Sequence, residues 1–170
     1  KLKTRKSELS SQISSAKEEL MYLQNVMLSI ESSESLNELE EIRTELYSEG
    51  YLKLKTSSKK VKAIEASAPM QFISSDNITI LVGKNNKQND ELTTKLSSPD
   101  DIWLHTKDIP GSHVIIKATL DTVTNQTLEE AAELAAYFSK ARMSSKVAVD
   151  YTARKNVKKP SGLLLFSWLN

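Results

Sequence analysis

Four groups of side chains in this sequence have the residue types and spacing to do chemistry. The first is Gly83-Lys84-Asn85-Asn86-Lys87-Gln88-Asn89-Asp90, one glycine followed by amides and two lysines. Amides and ammonium groups suit phosphate, sugar or base edges. The stretch lacks the Gly-x-x-x-x-Gly-Lys-Ser/Thr spacing of a nucleotide-binding P-loop. From the residues alone, a solvated loop capping a helix is the favoured account of it. The second is Asp101-Ile102-Trp103-Leu104-His105-Thr106-Lys107, where strand alternation puts Asp101, Trp103, His105 and Lys107 on one face. Trp103 can stack on a base with His105 oriented by Asp101, or it can belong to the core while His105 makes a structural hydrogen bond.

The third group is Ile109-Pro110-Gly111-Ser112-His113, a turn that brings Ser112 and His113 beside the preceding strand. Ser112, His105 and Asp101 can be drawn as a nucleophilic triad. However, no Gly-x-Ser-x-Gly elbow or oxyanion motif accompanies them, so a hydrolase is not expected. Two histidines and one carboxylate make a metal site on no stronger grounds. The fourth is the basic run after Tyr151 and Thr152, namely Arg154, Lys155, Lys158 and Lys159, suited to phosphate contacts or to an exposed basic tail.

The elements that must position these groups follow from periodicity. Leu2, Lys6, Leu9, Ile13, Ala16, Leu20, Leu23, Met27 and Ile30 alternate 4 and 3 apart, a heptad seam along one helix. Glu31 to Ser35 interrupts it, and Leu36, Leu39, Ile42 and Leu46 mark a second helix closed by Gly50. Residues 1–50 therefore read as an antiparallel helical hairpin, a coiled coil, and 51–69 as a basic linker ending at Pro69. Residues 70–170 read as a compact mixed α/β domain, giving an α+β chain. Strands are expected at Met70–Ser74, Ile78–Val82, Ile102–Thr106, His113–Lys117 and Val147–Tyr151. A short helix is expected over Asn89–Leu96. A longer one is expected over Leu128–Arg142, capped by Thr127 with Glu130.

Composition bounds the function. The 170 residues are 39% hydrophobic and 26% charged with a net charge of +1. That net value hides an uneven distribution: residues 1–50 carry 6 basic and 10 acidic side chains, 51–68 carry 5 and 1, and 140–159 carry 7 basic against Asp150 alone. Local basic clusters of this kind suit a polyanion. Without cysteine there is no disulfide scaffold, zinc ribbon or thiol nucleophile. No run of about 18 apolar residues exists to cross a bilayer as a helix. The chain opens at Lys1 with neither Met nor an apolar targeting segment, which reads as a piece of a longer protein.

The stretch GKNNKQNDELTTKLSSPDDIWLHTKDIPGSHVIIK, followed in order by LEEAAELAAYFSKAR, SSKVAVDYT and KNVKKPSG, resembles the NFACT-R domain of the NFACT family. The preceding helices resemble the end of that family's middle coiled coil. The resemblance implies a module of ribosome-associated quality control. Such a module binds tRNA and the large ribosomal subunit and supports C-terminal alanine tailing of stalled nascent chains in the cytoplasm. Streptococcal members imply a second reading, a surface adhesin that binds host fibronectin or fibrinogen and reaches the cell surface without a signal peptide. The expected RNA-contacting set is Lys84, Asn85, Asn86, Lys87, Gln88, Asn89, Asp101, Trp103, His105, Lys107, Ser112, His113, Arg154, Lys155, Lys158 and Lys159. No catalytic residue, metal, cofactor or membrane insertion is expected. The apolar end from Leu163 to Asn170 departs from the family pattern and reads as an altered terminus.

Overall fold

A computed structural model describes residues 2–53 and 67–158. The linker between Leu54 and Ala66, Lys159 and the apolar end lie outside the described residues. The 4–3 spacing does wind into a helix, α1 (Leu2–Glu31), and the chain turns back as α2 (Leu36–Ser48). Ser35 starts α2: its Oγ accepts from the Glu38 N–H at 3.3 Å, and the Glu38 carboxylate accepts from the Glu34 N–H at 2.8 Å. Gly50 follows the α2 C-cap with φ +81°, the left-handed geometry a glycine adopts without strain.

The face of α1 that turns inward is not the expected seam. Leu9, Ile13, Leu20, Leu23, Met27 and Ile30 are between 39% and 62% exposed, while Tyr22, Asn25, Val26 and Ser29 are buried. Tyr22 and Val26 pack with Ile42, Leu46 and Tyr51, and the Tyr22 and Tyr51 rings stack at 5.3 Å. The buried positions keep the 4–3 spacing but are displaced along it. The aromatic stack, a large apolar pair with directional ring contact, selects the face.

After the linker come β1 (Met70–Ile73), β2 (Thr79–Val82), β3 (Ile102–Thr106), β4 (Val114–Ile116) and β5 (Val149–Ala153). They form one antiparallel sheet in the order β1-β2-β4-β3-β5. Alternation sends Ile80, Val82, Ile102, Leu104, Val114 and Ile116 to one face, under Ala131 and Ala135 of the helix Asn125–Tyr137. Trp103 and Ile115 go to the other face, under Leu92 and Val157. Each fully buried aliphatic side chain contributes roughly 1.5–3 kcal/mol.

Two helices differ from expectation. The tract after Gly83 is already helical as α3 (Asn86–Glu91) and passes into a π turn over Leu92–Leu96. It starts early because Asn85 caps it, its Oδ1 accepting from the Gln88 N–H at 2.9 Å. The long helix, α4 (Asn125–Tyr137), is capped by Thr124 rather than by Thr127. Thr127 instead turns its hydroxyl to Ser74 at 3.0 Å, and Glu130 accepts from the Ser75 N–H at 2.9 Å. Phe138 leaves helical geometry, so that Ser139 can bridge Gly111 and its own carbonyl can accept from Ser112 N–H at 2.9 Å.

Candidate functional site

The amide-rich stretch after Gly83 faces α2. Along α2, Glu38, Glu41 and Glu45 recur at helical spacing on one side. Lys84 Nζ donates to Glu38 at 2.7 Å, Asn85 Nδ2 to Glu41 at 3.0 Å and Asn86 Nδ2 to Glu45 at 2.9 Å. Gln88 accepts the Lys84 N–H at 3.1 Å and donates to the Ser67 carbonyl at 2.8 Å. The electrostatics follow this pairing. Burial pushes the Glu38 carboxyl up, but Lys84 and the backbone N–H groups of Glu34 and Ser35 outweigh it, leaving the group below its ordinary range. At Glu45 burial wins against the Asn86 amide, and the carboxyl is raised.

Asn89 turns the other way, into the sheet. Its Oδ1 accepts from the His113 N–H at 3.0 Å, and a Cβ on Gly83 would lie 2.2 Å from that oxygen. Glycine at 83 is thus required by a close approach. Ser112 Oγ donates to the Gly83 carbonyl at 2.6 Å.

Trp103 is 1% exposed, which corrects its placement as a base-stacking platform. Its ring is packed in the second core with Leu92, Ile115 and Val157, with His113 edge-on at 5.2 Å and His105 stacked at 5.8 Å. A strand central in a sheet covered on both faces leaves no aromatic face for a ligand. His113 is buried too, correcting its place as an RNA contact; its Nδ1 lies 2.8 Å from Thr93 Oγ1 and 3.2 Å from the Asn89 carbonyl. His105 Nε2 meets the Gly111 carbonyl at 3.3 Å. Burial lowers both imidazoles, and His105 lowers His113 further.

The drawn triad does not assemble. Asp101 is buried and accepts from the Ser98 N–H at 2.7 Å and from Lys117, while Ser112 and His105 each bond a main-chain carbonyl. Among the described residues no grouping of three histidines or carboxylates could hold a metal ion.

The cations divide into two kinds. Lys84 is tied to Glu38, Lys155 to Asp100 at 2.7 Å, and the Arg154 guanidinium to the carbonyls of Thr93 and Thr94. Lys87, Lys107 and Lys158 are exposed, and no described carboxylate pairs with them. Lys140, Arg142 and Lys146 are exposed as well. They were absent from the expected RNA-contacting set, although the count of basic residues over 140–159 carried the signal. Arg142 stands 5.8 Å from the centre of the Tyr137 ring.

Residues 69–165 match the family described as the NFACT protein RNA binding domain, and residues 1–65 match the NFACT N-terminal and middle domains. The Rqc2 homolog RqcH of Bacillus subtilis (strain 168) is 47% identical over 152 residues, 89% of this chain and 26% of that protein. The Rqc2 homolog RqcH of Streptococcus suis (strain 05ZYH33) is 45% identical over 163 residues, 95% of this chain and 29% of that protein. The chain thus spans between 26% and 29% of the length of these relatives. The structure of the C-terminal of the fibronectin/fibrinogen-binding protein from Streptococcus suis superposes with a TM-score of 0.82 at 43% identity. That alignment covers 95% of this chain and 63% of the other. With the RNA-binding-domain match spanning more than half of its residues, the chain belongs to the NFACT family.

Proposed function

We propose that this chain is the tRNA- and large-subunit-binding part of a ribosome-associated quality-control factor, and that it supports C-terminal alanine tailing of stalled nascent chains without catalysing a reaction itself. The observation that carries the reading is membership of a family whose matching domain is described as RNA binding, over residues 69–165. The exposed cations Lys87, Lys107, Lys158, Lys140, Arg142 and Lys146 supply charge that the fold leaves uncommitted. They are the phosphate contacts in this reading. Lys84, Asn85, Asn86, Gln88, Asn89, Asp101 and Ser112 serve it indirectly, by holding the helices and sheet that carry those cations. The work is cytoplasmic, where ribosomes are.

One observation favours a second reading. The Streptococcus suis relative of known structure is a fibronectin/fibrinogen-binding protein. In this reading the chain is an adhesin fragment that binds host fibronectin or fibrinogen. The deciding experiment measures binding to labelled tRNA and to immobilised fibronectin side by side across a salt series. Counterion release predicts log-log slopes of roughly −0.7 to −0.9 per phosphate neutralised. A steep tRNA slope with salt-erased fibronectin binding supports the RNA reading. Salt-resistant fibronectin binding with no tRNA binding overturns it in favour of the adhesin.

A further inference from the structure

Among the described residues the sheet has a free edge at β1, the first strand in the order β1-β2-β4-β3-β5. The Ser74 N–H donates to the Ile78 carbonyl at 2.9 Å, and Phe72 stands opposite Ile80 and Met70 opposite Val82. Hydrogen-bonded pairs alternate along an antiparallel ladder, so the main-chain groups of Met70 and Phe72 turn to β2. Those of Gln71 and Ile73 turn outward, and no described residue pairs with them. Edge strands are ordinarily blunted by a charge, a proline or a bulge. Met70-Gln71-Phe72-Ile73 carries none of these. The surface beside the edge is apolar and rimmed with acid. α4 packs mainly over β2, β4, β3 and β5 and leaves β1 at its side. Two clefts, of about 560 Å³ and about 380 Å³, flank β1 there, and the exposed Tyr137 lines both. Phe72 and Phe138 line the first, Ile73 and Leu134 the second. Glu31 and Glu34 stand at the first, Glu130 and Glu133 at the second. Glu31, Glu34 and Glu133 meet no cation among the described residues. Of the cations at these clefts, Lys84 is tied to Glu38 and Arg142 lies by the Tyr137 ring.

We infer that β1 takes an extended peptide as an added strand, a segment with apolar residues at alternate positions and Lys or Arg at its ends. The peptide main chain pairs with the outward groups of Gln71 and Ile73. Its apolar side chains enter the clefts beside Phe72, and its cations meet the glutamates at the rims. Strand addition of this kind draws affinity from main-chain hydrogen bonds and selectivity from pockets for alternate side chains. The uncommitted acids favour a basic peptide and disfavour a polyanion. The inference goes beyond the RNA reading and does not depend on it.

The test uses the whole 170-residue chain and the peptide Lys-Lys-Val-Thr-Val-Thr-Val-Lys-Lys. A second peptide has Glu in place of Lys. A third is N-methylated at both threonines, which stand opposite Gln71 and Ile73 when the valines enter the clefts. In the free chain the Gln71 and Ile73 amides are expected to exchange hydrogen quickly, and the Lys-flanked peptide is expected to slow both. The Glu-flanked peptide is expected to bind several-fold more weakly, and the N-methylated one not measurably. Gln71→Pro removes an outward N–H and no ladder bond, so it is expected to lower affinity about tenfold at unchanged Tm. If its Tm falls, Glu133→Lys replaces it and is expected to weaken the Lys-flanked peptide and strengthen the Glu-flanked one. Slow exchange of both amides in the free chain means that the edge is already covered, by the chain itself or by a second copy, and overturns the inference. Failure of the Lys-flanked peptide to bind, or equal binding by its N-methylated form, overturns it too. Protection of these amides by tRNA and not by the peptide assigns the edge to RNA and likewise overturns it.

Discussion

His113 joins the sheet to α3, and its burial favours the neutral ring. The Asn89 carbonyl has no proton to give, so Nδ1 carries the hydrogen, and the ring is enclosed against Trp103 and His105. Its pKa in the fold is well below 6.5, through burial first and the neighbouring imidazole second. The unfolded chain binds this proton near pH 6.5 and the folded chain does not. The stabilisation is therefore complete above about pH 6.5 and drains as pH falls toward the depressed folded value, by at most about 1.4 kcal/mol per pH unit. Glu45 works in the opposite sense, since its raised carboxyl takes up a proton in the fold first. Thermal melts are best compared in a Glu45→Gln background. Tm is expected to drop between about pH 7 and pH 5.5, and a His113→Gln chain, with only the His105 imidazole left to charge, is expected to show a smaller drop. Equal slopes in the two chains would contradict a neutral, enclosed His113.

The polar stretch from Lys84 to Gln88 behaves as a latch between two helices. Lys84 and Glu38 are partly buried, with side-chain exposures of 27% and 11%, so their pair is screened less than a surface bridge. Lys84→Met leaves a carboxylate in a half-dry place and is expected to cost about 2 kcal/mol. Lys84→Met with Glu38→Gln is expected to cost less than the sum, with a coupling of about 1 kcal/mol from a double-mutant cycle in urea. Additive losses would mean that the two groups do not sense each other. Hydrogen exchange in α2 and α3 reports the same coupling, because opening the latch exposes both helices.

This latch also marks where the sequence stopped being readable. Ile102–Thr106 was legible to the residue because a short, mostly apolar run bounded by turn residues carries its own signal. The helical nature of α1 was legible too. Its buried face was not, because two sets of positions share the 4–3 spacing and only the Tyr22–Tyr51 stack distinguishes them. The acidic spacing of Glu38, Glu41 and Glu45 was plain on α2, and so were the amides after Gly83. Nothing local says that residues 41 to 46 positions apart meet. A polar stretch whose partners are remote reads as a solvated or ligand-binding loop. Trp103 was open between core and ligand for the same reason, since its cover, Leu92 and Val157, comes from either side in the chain.

The division of cations into committed and uncommitted sets is a property of the whole molecule. The chain is nearly neutral at +1, so non-specific attraction to a polyanion is weak and binding depends on where unpaired charge is displayed. No helix among the described residues is long and apolar enough to cross a membrane. Lys87, Lys107 and Lys158 are exposed and have no carboxylate partner among the described residues, so reversing them costs the fold little. The triple change Lys87→Glu, Lys107→Glu and Lys158→Glu is expected to weaken tRNA binding and to flatten its salt slope. The flattening is roughly 0.7 to 0.9 for each phosphate that is no longer neutralised, and Tm stays within about two degrees of wild type. Lys84→Glu is the contrasting case. It sets a second carboxylate against Glu38 and is expected to lower Tm, with tRNA binding falling only as far as the folded fraction falls. Reversal of these roles, with Lys84→Glu flattening the salt slope in a fully folded chain and the triple variant leaving it untouched, would assign the latch to RNA and the exposed lysines to solvent.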